Sequence, residues 1–369
     1  DDLNAYRRAV LAAETRIGAT AAAQQLAYAI DAGKRIMVIA DDDCDGSTAC
    51  AVALKGLRSM GASVDYLVPD RFVYGYGLTP AIVDLAAQKG AQLILTVDNG
   101  MASIDGVAEA KKMGIEVIIT DHHLPAETLP AAACIVNPNT PGCNFPSKNL
   151  AGVGVMYYVL MALRAEFRRR GKFDAKTQPR LDALVDLVAL GTVADVVKLD
   201  RNNRILVQQG LNRVRTGHTH PGVKALFEIA GRPSAQAKVR DFGFVIAPRI
   251  NAAGRLDLMT AGIECLMSDS DTEAQHYAKI LDDYNRQRRE LELDMQWDAA
   301  MLLNKIDVTK RHTLALYEPT WHQGIVGLVA SRIKESKHRP TIAFANAADG
   351  EMKGSGRSIE GVHLRDMLD

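Results

Sequence analysis

The sequence lacks a long apolar run and has no excess of charge of either sign. Its 369 residues include 44 Lys and Arg against 44 Asp and Glu, so the formal net charge is zero. No apolar stretch reaches the roughly 18 residues that a membrane span needs, and the first residues do not resemble a signal peptide. We therefore expect a cytoplasmic protein with no membrane partner. The absence of a basic excess is evidence against a nucleic-acid-binding protein, but it weakens if many acids serve as metal ligands.

The sequence has few cysteines, and their spacing does not match a known paired motif. No CxxC motif is present, and the count is odd: the cysteines are Cys44, Cys50, Cys134, Cys143 and Cys265. A scattered set of this kind predicts reduced thiols and excludes a disulfide framework or a zinc knuckle.

The first part of the chain alternates between short apolar runs and helical stretches. Four of the runs are nearly continuous in apolar character, as strands covered on both faces are: Arg35–Ala40, Val64–Val68, Gln92–Val97 and Glu116–Thr120. Helical stretches that end at glycines lie between them, among them Gly46–Met60. Two further helices are predicted over Val153–Arg170 and Pro179–Leu190. This repetition predicts a doubly wound, parallel α/β sheet.

A long helix is predicted for Asp271–Lys305, which contains neither Gly nor Pro. At 1.5 Å per residue it would span roughly 50 Å, which suits a connector between domains. A strand, a helix and a strand follow it, so the sequence predicts a second, smaller α/β domain. The predicted limits are residues 1–215 for the first domain, 216–270 for a helical extension, 271–305 for the connecting helix and 306–369 for a partial second domain.

An acidic cluster follows the first predicted strand directly. Asp41, Asp43 and Asp45 alternate with other residues and are followed by Gly46. Like charges this close repel one another, and a divalent cation removes that cost. The spacing also matches the start of a calcium-binding EF-hand loop, but that loop requires Glu at its twelfth position, where this chain has Val52.

Further polar residues follow the other predicted strands and one apolar helix. Asp98 follows Gln92–Val97, and Asp121-His122-His123 follows Glu116–Thr120; Asp195 follows the apolar stretch that ends at Leu190. Ligands of open parallel sheets bind at the carboxyl ends of the strands. An oxygen-rich set with one imidazole suits Mn²⁺ or Mg²⁺, and more ligands than one ion needs predict two ions.

The order of these motifs resembles the DHH phosphoesterase family, and in particular its exonucleases that act on single-stranded DNA. The resemblance rests on Asp-x-Asp-x-Asp-Gly, Val-Asp-Asn-Gly, Asp-His-His and Gly-Thr-Val-Ala-Asp, and it covers the chain from about residue 20 to its end. Further matching segments are Gly75–Leu78, Asn144–Lys148, Leu150–Gly154, Pro248–Arg255, Trp321–Gly327 and Gly354–Ser358.

The resemblance implies a role for each matching residue. Asp98 would bridge two ions, His123 would contact the scissile phosphate or protonate the leaving group, and Asp121 would support the catalytic residues. The implied metal ligands are Asp41, Asp43, Asp45, Asp98, His122 and Asp195. The implied substrate-binding residues are Arg249, Asn251, Arg255, His322, Ser355, Gly356, Arg357 and Ser358. Of these, Ser355–Arg357 would form a Gly-flanked loop. Arg249 and Arg255 could instead form structural salt bridges.

The implied activity is hydrolysis of single-stranded DNA from a free 5′ end, with a single-strand-binding protein and a helicase as partners. Two alternatives stay open: a phosphodiesterase for oligonucleotides or cyclic dinucleotides, and a replication scaffold without activity. The sequence departs from the family at Asp42 and Cys44, where uncharged or small residues are usual. It also lacks the family's Gly-Gly-His motif and oligonucleotide-binding barrel, so we expect the second domain to be incomplete.

Overall fold

The computed structural model describes residues 18–347 and 350–368, except for the side chains of Arg71 and Arg365. The first residues, on which the expectation about a signal peptide rests, lie outside this range, as does the start of the first predicted domain. In the part of the chain that is described, no helix combines the length and the apolar character that crossing a membrane requires.

A five-stranded parallel sheet forms the centre of the first compact unit. Its strands are β1 (Arg35–Ala40), β2 (Ser63–Leu67), β3 (Leu93–Val97), β4 (Glu116–Thr120) and β5 (Cys134–Val136), in the order β2-β1-β3-β4-β5. Chain order reverses at β1, so helices can cover both faces. The predicted fold class is confirmed, and β5 is a strand that the prediction missed.

Helices cover both faces of this sheet. On one face, Pro80–Gln88 and Ile104–Lys112 pack over side chains of β1, β3 and β4 such as Ile39 and Ile94. On the other face, Cys44–Ser59 packs on β1 and β2 and also against Gly152–Arg169. The remaining helices that begin before residue 270 are Ala19–Asp31, Arg71–Tyr74, Val185–Ala194, Arg201–Arg215, Pro221–Ile229, Val239–Asp241, Ala247–Leu256 and Thr260–Met267, with a π-helical turn at Phe242–Ile246.

The chain divides into two compact units. The first extends to Ala253 and includes Leu258–Asp282, and the second comprises Gly254–Asp257 and the chain from Asp283 onward. The long helix spans Asp271–Leu303, close to its predicted limits, and its residues are divided between the two units.

The second unit contains a three-stranded mixed sheet. Strand β6 (Leu314–Tyr317) pairs in parallel with β7 (Thr341–Asn346), which pairs antiparallel with β8 (Met352–Arg357), and the helix Val326–Lys337 follows β6. A core around Trp321, Ile325 and Val329 joins the helix to the sheet.

Three details of the prediction were wrong. Gly354–Arg357 lies in β8 and not in a loop, because its backbone pairs with Thr341–Phe344. The local sequence did not indicate a strand here, because it consists of glycines and polar residues. The helix after the first acidic motif begins at Cys44 instead of Gly46. The stretch predicted as one helix over Pro179–Leu190 is a 3₁₀ turn at Leu181–Leu184 followed by a helix over Val185–Ala194.

Candidate metal centre

The strand register brings the polar motifs to one edge of the sheet. Ala40 of β1 pairs with Val97 of β3, and Val97 pairs with Thr120 of β4. The residues that follow, Asp41, Asp98 and Asp121, therefore begin side by side at the carboxyl ends of three neighbouring strands. Positions far apart in the sequence become one acidic site because the strands end at the same level.

The first acidic motif turns directly into a helix. Asp43 is the N-cap of Cys44–Ser59, and its side chain accepts a hydrogen bond from the backbone N–H of Gly46 at 2.9 Å. Asp45 lies in the first turn with no exposed surface. Its two carboxylate oxygens accept the backbone N–H groups of Gly152 at 2.6 Å and Val153 at 3.0 Å. The N-terminus of a second helix therefore fixes Asp45 and favours its negative charge.

Asp98 and His122 face one another at the centre of the cluster. The Oδ1 atom of Asp98 lies 3.1 Å from Nε2 of His122, yet among the described residues neither buried atom has a partner in hydrogen-bond geometry. The φ angle of Asp98 is 63°, a left-handed conformation that is uncommon for a residue with a side chain. Gly152 approaches so closely that a Cβ there would collide with the Asp98 carboxylate. Two orphaned buried atoms that converge on one point are typical of ligands to a cation.

The six predicted ligands form two adjacent groups. Asp41, Asp43 and Asp98 offer oxygens within 4.8 Å of one another, and the same limit holds for Asp45, His122 and Asp195. Asp98 also groups with His122 and His123. Asp98 thus belongs to one group and contacts the other, as a ligand shared by two neighbouring ions would.

Burial and mutual repulsion strongly perturb these acids. Burial first, and then the neighbouring carboxylates, raise the pKa of Asp41 and Asp98 well above the usual value, and they raise the pKa of Asp195 to about 8. Burial lowers the pKa of His122, which keeps its imidazole neutral and able to bind a metal. Carboxylates held this close in a buried site fit divalent cations, which would neutralise them.

His123 lies beside the ligand set and is held by Asp121. Its Nδ1 atom lies 2.7 Å from Oδ1 of the buried Asp121, and its side chain is 47% exposed. This hydrogen bond, against the opposing effect of burial, raises the pKa of His123 to about 9. Asp121 also accepts the backbone N–H groups of Met101 and His122, at 2.9 Å and 2.7 Å. Asp121 therefore holds the loop and leaves a protonated imidazole facing solvent.

Three residues that the sequence reasoning missed support this loop and the first acidic motif. The side-chain amides of Asn137 and Asn139 donate to the backbone carbonyls of His123 at 2.9 Å and His122 at 2.6 Å. The hydroxyl of Tyr76 donates to Oδ2 of Asp41 at 3.0 Å. The Asn-Pro-Asn sequence after the apolar run of β5 was an available signal, because β5 adjoins β4.

Two predicted DNA-binding residues have partners inside the first unit. Arg249 donates from Nε to Oδ1 of Asp282 at 2.9 Å, and both side chains are almost fully buried. Asn251 accepts the backbone N–H of Cys44 at 2.7 Å, which ties the helix Ala247–Leu256 to the first acidic motif. The structure thus gives both residues a structural contact close to the site.

The other predicted substrate-binding residues lie in the second unit. Arg255 donates to the carbonyl of Gly324 at 3.3 Å, and Nδ1 of His322 accepts the N–H of the same glycine at 3.1 Å. In β8, Arg357 donates to Oγ of Ser355 at 3.2 Å and to the carbonyl of Gly356 at 2.7 Å. Ser358 donates to the carbonyl of Val362 at 2.6 Å.

Arg357 and Ser355 also lie over the start of the helix Val326–Lys337. A Cβ on Gly327 would meet Oγ of Ser355 at 2.8 Å and Nη2 of Arg357 at 3.0 Å. A guanidinium, a hydroxyl and a helix N-terminus in one place can receive a phosphate.

Comparison with known proteins identifies similar families and structures. The model of the DHH family N-terminal domain matches residues 35–192, and that of the DHHA1 domain matches residues 310–369. The single-stranded-DNA-specific exonuclease RecJ of Escherichia coli is 53% identical over 359 residues, which cover 95% of this chain and 62% of that protein.

Two solved structures are similar over almost the whole chain. Exonuclease RecJ bound to manganese has a TM-score of 0.82 and 34% identity, and the match covers 96% of this chain and 85% of that one. RecJ of Thermus thermophilus in complex with Mn²⁺ has a TM-score of 0.77 and 33% identity, with 96% and 50% covered. The chain spans 62% of the length of its E. coli relative.

Proposed function

The chain belongs to the DHH family and to its RecJ exonuclease branch, and from this premise we propose that it hydrolyses single-stranded DNA from a free 5′ end with two divalent cations. In this proposal residues 1–215 form the metal-binding domain, 216–270 extend it, 271–305 connect it, and 306–369 contribute to substrate binding. The reaction is water attack on a phosphodiester bond.

The observation that carries the proposal is the convergence of five aspartates and His122 on one buried point. Asp98 belongs to one ligand group and lies 3.1 Å from His122 of the other, and its Oδ1 atom is among the orphaned buried atoms. Mn²⁺ and Mg²⁺ suit this set of hard oxygens with one imidazole. The two ions, when bound, would supply an activated water and neutralise charge on the phosphate.

His123 has the geometry of the group that faces the substrate. Because Nδ1 is held by Asp121, the Nε2 atom is the one that can reach the scissile phosphate or its leaving oxygen. Its raised pKa of about 9 keeps it protonated at neutral pH, so it can donate a hydrogen bond or a proton there. Asp121 and the amide of Asn137 set its orientation.

The second unit would hold the strand through its backbone phosphates. Arg357, Ser355 and the N-terminal turn at Gly327 form a cationic cradle that fits a phosphate and reads no base. Arg255 and His322 would add contacts, while Arg249 and Asn251 would act through the structure that they hold. A single-strand-binding protein and a helicase are proposed partners on the family resemblance alone.

The proposal is tested with one set of substrates. In Mn²⁺ the chain should degrade a 5′-phosphorylated single strand, leave the matching duplex intact, and stop in EDTA. Asp98→Ala should abolish the activity, whereas Asp84→Ala, which removes an exposed carboxylate from the helix Pro80–Gln88, should not. Faster hydrolysis of a cyclic dinucleotide would favour the first alternative, and no hydrolysis of any substrate would favour the scaffold.

A further inference from the structure

One aromatic side chain is exposed in an irregular part of the first unit. Phe244 is 72% exposed and lies in the π-helical turn Phe242–Ile246. Such turns are rare and frequently occur at functional sites. The neighbouring Phe242 and Ile246 are fully buried, so the turn is anchored while the ring of Phe244 points to solvent.

The turn is connected directly to the metal centre. Gly243 faces Val193, with its Cβ position 3.4 Å from Cγ1 of that residue, and Val193 precedes the ligand Asp195 by two positions. The helix that continues from the turn carries Asn251, which bonds to the backbone of Cys44 between two ligands. Seven residues separate Phe244 from Asn251, or roughly 10 Å at 1.5 Å per residue. A single strand bound at the metal centre would therefore need only a few nucleotides to extend to Phe244.

The segment that leads into the turn is rich in basic residues, and one of them contacts Phe244. The guanidinium of Arg240 lies 5.9 Å from the centre of its ring, and Arg232 and Lys238 are also exposed. Residues 198–241 contain nine Lys and Arg against three Asp and Glu, although the whole chain is neutral. The carboxylate of Asp241 already accepts the backbone N–H of Lys238. This positive charge indicates that the ligand of the surface is a polyanion, rather than a protein whose own surface is neutral or has few acidic residues.

We propose that Phe244 is a stacking platform for a nucleobase of the single strand, with Arg240 and Lys238 beside the adjoining phosphates. The proposal rests on the proposed function and adds a base contact to it. An exposed ring can stack on any base and an arginine can pair with the phosphate or stack in turn, so such a platform grips a strand without selecting its sequence. A paired base within a duplex offers no free face to the ring, so the platform favours single strands.

The test combines a protein change with a DNA change. Binding of a short 5′-phosphorylated oligothymidylate is measured by fluorescence anisotropy in EDTA, so that no strand is cut, with the base removed from one nucleotide at a time. For the unaltered chain, base removal should weaken binding about 5- to 100-fold at one or two positions and little elsewhere. The Phe244→Ala variant should bind the intact strand more weakly by a similar factor. Its affinity should no longer change when the base is removed at those positions, as expected when the ring and the base are in direct contact.

The controls separate stacking from general effects. Tyr28→Ala removes another exposed ring, 63% exposed with the Nζ atom of Lys34 5.4 Å from its centre, and should leave binding unchanged. Phe244→Trp should restore both the affinity and the sensitivity to base loss. Equal sensitivity to base loss in Phe244→Ala and the unaltered chain would overturn the platform, as would a change in oligomeric state without a change in affinity.

The two proposals can fail separately. If the chain binds the strand with the predicted coupling but cuts no DNA in Mn²⁺, the nuclease proposal fails and the platform stands. If it cuts the strand and Phe244→Ala binds as tightly as the unaltered chain, the platform fails and the nuclease proposal stands.

Discussion

Replacing Asp98 by Asn should make the metal-free protein more stable and remove its response to manganese. The substitution keeps the shape of the side chain and removes one negative charge from a buried group of acids. Asp98 shares its surroundings with Asp41 and Asp43, whose oxygens lie within 4.8 Å of its own. We thus expect the stability of the metal-free protein to rise and its metal binding to fall. Such a trade-off is common where an active site is less stable than its sequence could make it.

The size of the effect follows from the geometry. Two unit charges 4.8 Å apart repel by about 3.5 kcal/mol at an effective dielectric constant of about 20. The raised pKa of Asp98 means that protonation already relieves part of this repulsion, so we expect a net gain of about 1–2 kcal/mol. That gain corresponds to a rise in Tm of about 2–8 °C for a domain of this size.

The assay is thermal unfolding in EDTA and in saturating Mn²⁺. For the unaltered chain, manganese at 100 times its Kd should stabilise the fold by about 2.7 kcal/mol, or about 5–11 °C in Tm. Asp98→Asn should lose most of this shift, while Asp84→Asn, at an exposed position, should behave as the unaltered chain does. A variant that is less stable in EDTA, or that keeps the full manganese shift, would refute the reasoning.

Three further changes probe the rest of the site. Gly152→Ala should suppress Mn²⁺-dependent hydrolysis because its Cβ would displace the Asp98 carboxylate, whereas Gly154→Ala, which meets only the Leu150 side chain, should keep it; equal rates in a nuclease assay would contradict this. The pKa of Asp195 is raised to about 8, so the folded state favours the protonated carboxyl. The stability that this protonation contributes to the metal-free protein should be fully present below about pH 4. It should be lost, with a fall in Tm, as the pH rises through about 8. Asp195→Asn should flatten that decline in a Tm–pH series in EDTA, and an unchanged slope would count against it. Arg249→Ala should cost about 3–5 kcal/mol in urea unfolding because it removes the guanidinium that is paired with the buried Asp282 carboxylate. Normal stability with lost DNA affinity would instead make Arg249 a DNA contact.

The parts of the fold that the sequence predicts are those encoded locally. Strands β1 and β4 begin and end where their apolar runs do, because a buried parallel strand must be apolar on both faces. The acidic motifs were placed correctly at strand ends, since in such a sheet polar groups after a buried strand come to its carboxyl edge.

What the sequence did not reveal depends on distant partners. β8 contains two glycines and polar side chains, and only its pairing with β7 makes it a strand. The partner of Arg249 is 33 positions away in the chain, and the contact between Asn251 and Cys44 joins positions 207 apart. No local pattern specifies which carboxylate an arginine will meet. The left-handed conformation of Asp98 is likewise set by its surroundings, because Asp adopts it more often than most residues with a side chain but does not require it.

The most direct test of the account is to locate manganese in crystals by anomalous scattering. The account predicts two peaks roughly 3.5–4 Å apart, both within coordination distance of the Asp98 carboxylate, with His122 and Asp195 at one of them. A single ion that Asp98 does not contact, or no ion near these residues at saturating manganese, would contradict it.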